Sequence, residues 1–86
     1  MGDAPHKERP LGIRGLLGVG FDGDRQHKRI TRGKNFVLFG GSRDTHELMV
    51  ETCLKFNEHV EKRGKELPEI SARELGEITR NLGEEL

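Results

Sequence analysis

The stretch NFVLFGGSRDTHELMVETCLKFNEHVEKRG, residues 35–64, decides the fold of this chain. Its four consecutive apolar residues, 36–39, predict a strand that is buried on both faces. A glycine pair ends this strand, and apolar residues then recur at helical spacing from about residue 44 to residue 63. Residues 42–45 offer several N-cap candidates, and Asp44 and Glu47 have the spacing of a capping box, which predicts the start of the helix in this segment.

Upstream of this stretch, Leu16 to Phe21 alternates in the manner of a strand. Leu17, Val19 and Phe21 share one face, while the opposite face carries two glycines. Glycine weakens a strand unless another element has to approach it closely. We therefore expect another element to pack against the glycine face.

Between these two strands, residues 27–32 predict a third strand, in which Ile30 is the only large apolar residue. Gly33-Lys34 fits a two-residue hairpin turn, because glycine tolerates the positive φ of a type II′ turn. This turn would pair Thr31 with Phe36. The three strands then follow one another as an antiparallel meander.

Downstream, Ser71 and Glu74 form a second capping box ahead of an apolar stripe at helical spacing. Gly83 is expected to end this helix, as Gly64 is expected to end the first. The predicted fold class is α+β, with a small antiparallel β-meander of two or three strands followed by two amphipathic helices packed on one face.

The 86 residues are expected to form one small domain, residues 11–86, after a flexible N-terminal arm, residues 1–10. The arm contains no branched aliphatic or aromatic side chain. Leu, Ile, Val and Phe make up 22 of the 86 residues, which allows folding around a small core only. Small cores often recruit a second copy, so we expect a homo-oligomer, most simply a homodimer.

The lone cysteine, Cys53, argues against a disulfide-stabilised secreted domain. The first ten residues contain no apolar signal segment, and no run of about 18 apolar residues is present. These features predict a cytoplasmic protein without a membrane partner.

Charge is divided between the two halves of the chain. Residues 1–43 hold nine Lys and Arg against four Asp and Glu, a balance of +5, and residues 44–86 hold six against eleven, a balance of −5. The basic hairpin residues Arg29, Arg32 and Lys34 suggest contacts to nucleic acid or another anionic ligand. An alternative is a solvated edge strand that charge protects against aggregation, and we interpret the nearby Phe21, Phe36 and Phe39 as core residues.

A second anion-binding candidate is the turn that contains Gly40, Gly41, Ser42 and Arg43. Backbone N–H groups at the start of a helix bind anions, and the arginine would add charge. Glycine and serine also occur at such junctions for geometry and capping alone. We favour this second interpretation.

Other motifs carry little chemical meaning. Residues 18–23 spell GxGxxG, but they lie inside a predicted strand and no βαβ unit follows. His46-Glu47 lacks the second histidine of a zinc motif, so no metal site or cofactor is expected. Seven residues of helix separate His46 from Cys53 by about 10.5 Å, which is too far for a catalytic pair. His46 and Asn57 are instead predicted to be buried polar groups or interface residues.

Taken together, these features predict a non-catalytic binding or assembly module that associates with itself. Nucleic-acid or anionic-ligand binding through the basic hairpin and the Gly-Gly-Ser turn is the alternative. Catalysis ranks third, because a chain this short is a poor host for a concave active site around Cys53 or His46.

Overall fold

The computed structural model describes residues 9–23 and 28–85. They belong to two compact units, which we call the sheet unit (the described residues within 15–55) and the helical unit (the described residues within 1–14 and 56–86). Most of the predicted flexible arm, residues 1–8, lies outside the described residues, as does His27, the first residue of the strand predicted over residues 27–32.

Three strands are present in the described part of the sheet unit: β1 (Leu16–Gly20), β2 (Ile30–Gly33) and β3 (Phe36–Gly40). The strand order is β1-β3-β2, with β1 parallel to β3 and β2 antiparallel to it. The prediction of an antiparallel meander is therefore wrong, although the α+β class is confirmed. The most apolar strand, β3, takes the centre, whereas the polar β2 occupies an edge, where charged side chains stay in solvent.

The hairpin between β2 and β3 turns at Lys34-Asn35 instead of the predicted Gly33-Lys34. Gly33 lies opposite Phe36, and Thr31 lies opposite Leu38. Asn35 supplies the positive backbone angle, with φ 66°, because asparagine is one of the few non-glycine residues that tolerate this region. The register differs from the predicted one by two residues, so each side chain keeps its predicted face.

The two faces of the sheet differ in burial. We call the outer face the side that carries Leu17, Val19, Ile30, Arg32, Val37 and Phe39, and the inner face the side that carries Leu16, Gly18, Thr31, Phe36 and Leu38. Phe36 and Leu38 are buried, whereas Phe39 is exposed. The predicted burial of the central strand on both faces is therefore wrong, and so is the assignment of Phe21 and Phe39 to the core.

The inner face of β1 is in close contact with its neighbours, as its glycines predicted. A Cβ atom on Gly18 would come within 2.6 Å of Leu38 Cδ2 and 3.1 Å of Met49 Sδ. A Cβ atom on Gly20 would lie 2.5 Å from the Cα atom of Gly41. The expectation that another element packs against these glycines is confirmed, because only hydrogen atoms fit in these spaces.

The first helix, α1, spans Arg43–Lys62, close to the predicted bounds. Its cap is Ser42, one of the candidates in residues 42–45, whose Oγ accepts a 3.2 Å hydrogen bond from the backbone N–H of Thr45. The helix therefore starts before Asp44, and the capping box of Asp44 with Glu47 is wrong. The predicted glycine after the helix is confirmed: Gly64 has φ 69°, and its N–H donates to the carbonyl of Glu61.

The helical unit contains the end of α1, a 3₁₀ turn (Leu67–Glu69) and a second helix, α2 (Ala72–Glu85). The predicted capping box is confirmed, since Glu74 N–H donates to Ser71 Oγ and Ser71 N–H donates to Glu74 Oε1. α2 continues past Gly83, so that residue does not end it. Six apolar side chains of this unit are buried: Phe56, Val60, Leu67, Ile70, Ile78 and Leu82.

The segment that precedes β1 is attached to the helical unit by backbone hydrogen bonds. The N–H groups of Leu11 and Gly12 donate to the carbonyls of Ile70 and Pro68, both at 2.9 Å. No helix in the described part of the chain is long and apolar enough to cross a bilayer.

Candidate interaction surface of the sheet unit

The outer face presents apolar side chains to solvent. Leu17 is 72% exposed, Ile30 59%, Val19 48% and Phe39 39%. Phe21 continues the alternation of β1 one residue beyond the strand and is 92% exposed. Single exposed apolar residues are ordinary, but several on one sheet face mark an interaction surface.

The predicted basic residues are not gathered on one surface. Arg32 lies on the outer face, opposite Val37, and Lys34 is exposed in the hairpin turn. Arg29 is half-buried, and its Nη1 donates a 3.3 Å hydrogen bond to the carbonyl of Gly41. Arg43 forms an exposed ion pair with Glu47, at 3.2 Å.

The turn proposed to bind an anion already holds a carboxylate of this chain. Asp22 Oδ1 accepts a 2.9 Å hydrogen bond from Ser42 N–H, while Oδ2 accepts from the hydroxyls of Ser42 (3.0 Å) and Thr45 (2.7 Å). The hydrogen bond from Thr45, followed by that from Ser42 N–H, lowers the pKa of Asp22 below its usual value. An external anion at this turn would have to displace Asp22.

Gly40 and Gly41 supply the backbone geometry that brings these groups together. Both have positive φ, 71° and 81°, which favours glycine over any other residue. A Cβ atom on Gly23, beside Asp22, would lie 2.5 Å from the Gly41 carbonyl oxygen. Close backbone contact between the two loops therefore positions Asp22 against the start of α1.

His46 is 7% exposed and joins the first turn of α1 to two strands. Its Nδ1 lies 2.8 Å from the carbonyl oxygen of Gly40, which can only accept, so we assign the ring proton to Nδ1. In the neutral ring, Nε2 then accepts a hydrogen bond from the hydroxyl of Thr31 at 2.7 Å. Both ring nitrogens are engaged in structural contacts.

Asn57 is 8% exposed and belongs to the helical unit. It has an interaction partner. No buried side-chain nitrogen or oxygen of the described residues lacks a hydrogen-bond partner. Neither Asn57 nor His46 is therefore an orphaned polar group awaiting a ligand.

A cavity of about 280 Å³ opens between β1 and α1. Its lining is mostly apolar and includes Gly18, Leu38, Leu48, Met49 and Cys53. Burial raises the pKa of the Cys53 thiol, which favours its protonated, poorly nucleophilic form. Among the described residues, no group of three or more His, Cys, Asp or Glu side chains is placed to hold a metal ion.

Two features of this surface were missed by reasoning from sequence. The sequence did not single out Asp22, because no local pattern reveals hydrogen bonds across 20 or more residues of chain. The exposure of Phe21 and Phe39, in contrast, could have been predicted from the alternation of residues in the sequence of β1. If the glycine face of β1 packs closely, the apolar face that alternates with it must point away.

Comparisons with known proteins identify no relative of this chain. No protein-family model matches the sequence, and neither a curated protein nor a solved structure matches the chain.

Proposed function

We propose that this protein is a non-catalytic assembly module that associates with itself through the outer face of its sheet. The observation that carries the proposal is the exposure of Leu17, Val19, Ile30 and Phe39 on that single face. Burial of apolar surface is the main favourable contribution to protein association. A second copy would remove these side chains from water.

The size of the surface supports a specific contact. Together with Phe21, these side chains expose the equivalent of about three whole large residues, on the order of 600 Å². This is at the upper end of the largest apolar patch on an ordinary monomer. It approaches the ~800 Å² that each partner contributes to a standard interface, so a contact that forms at micromolar concentrations is expected.

The chemistry of the outer face favours a second copy as the occupant. A two-fold contact places the same surface on both sides, and an apolar surface complements itself without matched charges. Among the six described residues that define this face, Arg32 is the one with a charge, and it lies on the edge strand β2, where it can remain in solvent. The packing of both helices on one face of the sheet stays a prediction within this proposal.

The test compares substitutions on the outer face with a matched substitution elsewhere. Phe39→Ser and Ile30→Ser each remove apolar area from the face, whereas Leu54→Ser removes a leucine that is 53% exposed on α1. We expect sedimentation velocity to show a smaller particle for both face variants and an unchanged one for Leu54→Ser. Equal sizes for all three variants and the unmodified protein would contradict the proposal.

A second candidate function is binding of single-stranded nucleic acid on the same face. Phe21 and Phe39 are exposed aromatic side chains, and Arg32 is a cation on the same sheet surface. Sheets that bind single strands combine stacking aromatics with cations in this way. The aliphatic majority of the face favours a protein contact, so this candidate ranks second.

One pair of variants separates the two candidates. Phe39→Leu keeps most of the apolar area but loses the stacking surface, and Arg32→Gln loses the cation. If the face binds nucleic acid, both variants weaken binding of a labelled single-stranded oligouridylate at low salt. If the face binds a second copy, the unmodified protein gives no salt-sensitive signal and Phe39→Leu leaves the particle size almost unchanged.

A further inference from the structure

The two edges of the sheet are protected to different degrees. The edge strand β2 carries Arg32, and the charged residues Arg29 and Lys34 flank it. The other edge strand, β1, reads LLGVG and contains neither a charged residue nor a proline. Natural proteins usually place charge, proline or a covering element on an open edge, because unpaired backbone groups attract further strands.

The free edge of β1 presents the backbone groups of Leu17 and Val19. Leu16 N–H donates to the carbonyl of Asn35 at 2.7 Å, so the groups of Leu16 point towards β3. Because successive residues of a strand point to opposite sides, the N–H and C=O groups of Leu17 and Val19 point away from β3. Within residues 9–23 and 28–85, no strand pairs with this edge.

The cavity between β1 and α1 opens beside the same edge. Gly18 forms part of its lining and contributes no side chain, while Leu38, Met49 and Cys53 make the surrounding surface apolar. A strand added to β1 would have an inner-face side chain next to Gly18, at this cavity. An edge with free backbone groups and an adjacent apolar cavity is the arrangement by which sheets bind an extended segment.

We propose that β1 pairs in antiparallel orientation with β1 of a second copy, and that Leu16 of each copy enters the cavity of the other. A two-fold axis perpendicular to the sheet requires residues of the same face to lie opposite one another. If the axis passes beside Gly18, Gly18 of one copy lies opposite Gly18 of the other. If the axis passes beside Val19, Gly18 lies opposite Gly20 of the other copy. Only an axis at Leu17 sets Leu16 opposite Gly18, where it fills the cavity.

This inference rests on the proposed self-association but uses a different surface. The outer-face contact stacks two sheets, whereas the β1 contact joins two sheets edge to edge into one of six strands. The two isologous contacts are compatible in an assembly of four chains. Loss of either contact alone would then leave a dimer.

The cavity itself provides a test, because Cys53 is part of its lining. In the proposed pairing, Leu16→Cys places a thiol near Cys53 of the second copy. Under mild oxidation, we expect Leu16→Cys to form covalent dimers on a non-reducing gel. Leu16→Cys combined with Cys53→Ser should lose them, and Leu54→Cys, on a part of α1 that does not line the cavity, should not form them.

Repeating the experiment in a Phe39→Ser background distinguishes this inference from the proposed function. The covalent dimer should persist there, because it does not depend on the outer face. Absence of the Cys53-dependent dimer, while the unmodified protein still associates, would overturn the β1 pairing and leave the outer-face contact standing. If the unmodified protein is a monomer and no dimer forms, both proposals fail.

A variant that changes the backbone of β1 tests the same pairing independently, should Leu16→Cys fail to fold. Leu17→Pro removes an N–H that β3 does not use, and edge strands tolerate proline at such positions. In the Phe39→Ser background, Leu17→Pro should halve the mass of the particle, whereas Leu17→Ser keeps the N–H and should not. The same mass for both variants would contradict pairing at the β1 edge.

Discussion

The two units of this chain differ in how they bury their apolar side chains. Six of the eight buried apolar side chains among the described residues belong to the helical unit, and only Phe36 and Leu38 belong to the sheet unit. Of the eight large apolar side chains described as exposed, all but Leu11 belong to the sheet unit. The helical unit has a buried core of its own, and the sheet unit leaves most of its large apolar side chains exposed.

The two units also differ in where their charged side chains lie. In the helical unit, Glu74 lies 2.8 Å from Lys65 Nζ and 3.6 Å from Arg63, and it also accepts the N–H of Ser71. Among the six residues that define the outer face of the sheet unit, Arg32 is the one with a charged side chain. Charged side chains of the helical unit contact one another around Glu74, whereas five of the six residues that define the outer face of the sheet unit are apolar.

The largest expected effect compares two isoleucines. Ile78 is 0% exposed and Ile30 is 59% exposed. Ile78→Ala should lower the free energy of unfolding by about 2–5 kcal/mol, because it leaves a cavity in the helical unit. Ile30→Ala should cost less than about 0.5 kcal/mol when urea unfolding is measured on dilute protein. Equal losses would show that the outer face is covered within the chain.

A second comparison uses glycines. Gly20→Ala should destabilise the protein by about 1–3 kcal/mol, because its Cβ would meet backbone atoms of Gly41, which cannot move aside as a side chain could. Gly76→Ala should stabilise it by about 0.5–1 kcal/mol, because this helical position has nothing within 4 Å. Thermal unfolding of both variants checks the pair. A stabilising Gly20→Ala would contradict the close contact.

The ionic contacts of the helical unit predict a dependence on pH. The hydrogen bond from Lys65, followed by that from Ser71 N–H, lowers the pKa of Glu74 from 4.5 to about 2. Because the folded state has the lower pKa, this stabilisation is complete above about pH 4.5 and is lost as the pH falls towards 2. Melting temperatures should therefore fall less steeply in this range for Glu74→Gln. If the melting temperatures of the unmodified protein and of Glu74→Gln fall equally steeply between pH 4.5 and 2, Glu74 is not the source of this pH dependence.

The smallest expected effect is a change in hydrogen exchange where Asp22 contacts the start of α1 in the sheet unit. Asp22→Ala removes the acceptor of the Ser42 N–H, so hydrogen exchange at this amide should become faster. Asp44→Ala changes an exposed carboxylate of the same helix turn and serves as the control. Because Asp22 has a lowered pKa, its contribution in the unmodified protein is lost as the pH falls below the usual range of an aspartate. Unchanged hydrogen exchange at the Ser42 amide in Asp22→Ala would rule out the hydrogen bond between Ser42 and Asp22.

Local patterns predicted the parts of the fold that depend on local chemistry. The start of α2 followed from the Ser71 and Glu74 capping box, and the end of α1 followed from Gly64. The close packing of the glycine face followed from the alternation in β1. Each of these features is decided within a few residues of chain.

The features that the sequence did not reveal depend on distant partners. The parallel pairing of β1 with β3 brings together segments 20 residues apart, and both parallel and antiparallel pairing suit the same alternation. The hairpin turn uses the positive φ of Asn35, whereas the predicted turn assigned that role to Gly33, two residues earlier. For the candidate surface, alternation identified which residues share a face, but not which face remains exposed.

The most direct test of the central claim is the mass of the unmodified protein, measured by sedimentation equilibrium from about 1 to about 100 μM. Association through the outer face predicts a mass that rises with concentration to a multiple of the single chain, and a lower limiting mass for Phe39→Ser. The mass of one chain at every concentration would contradict the proposed function.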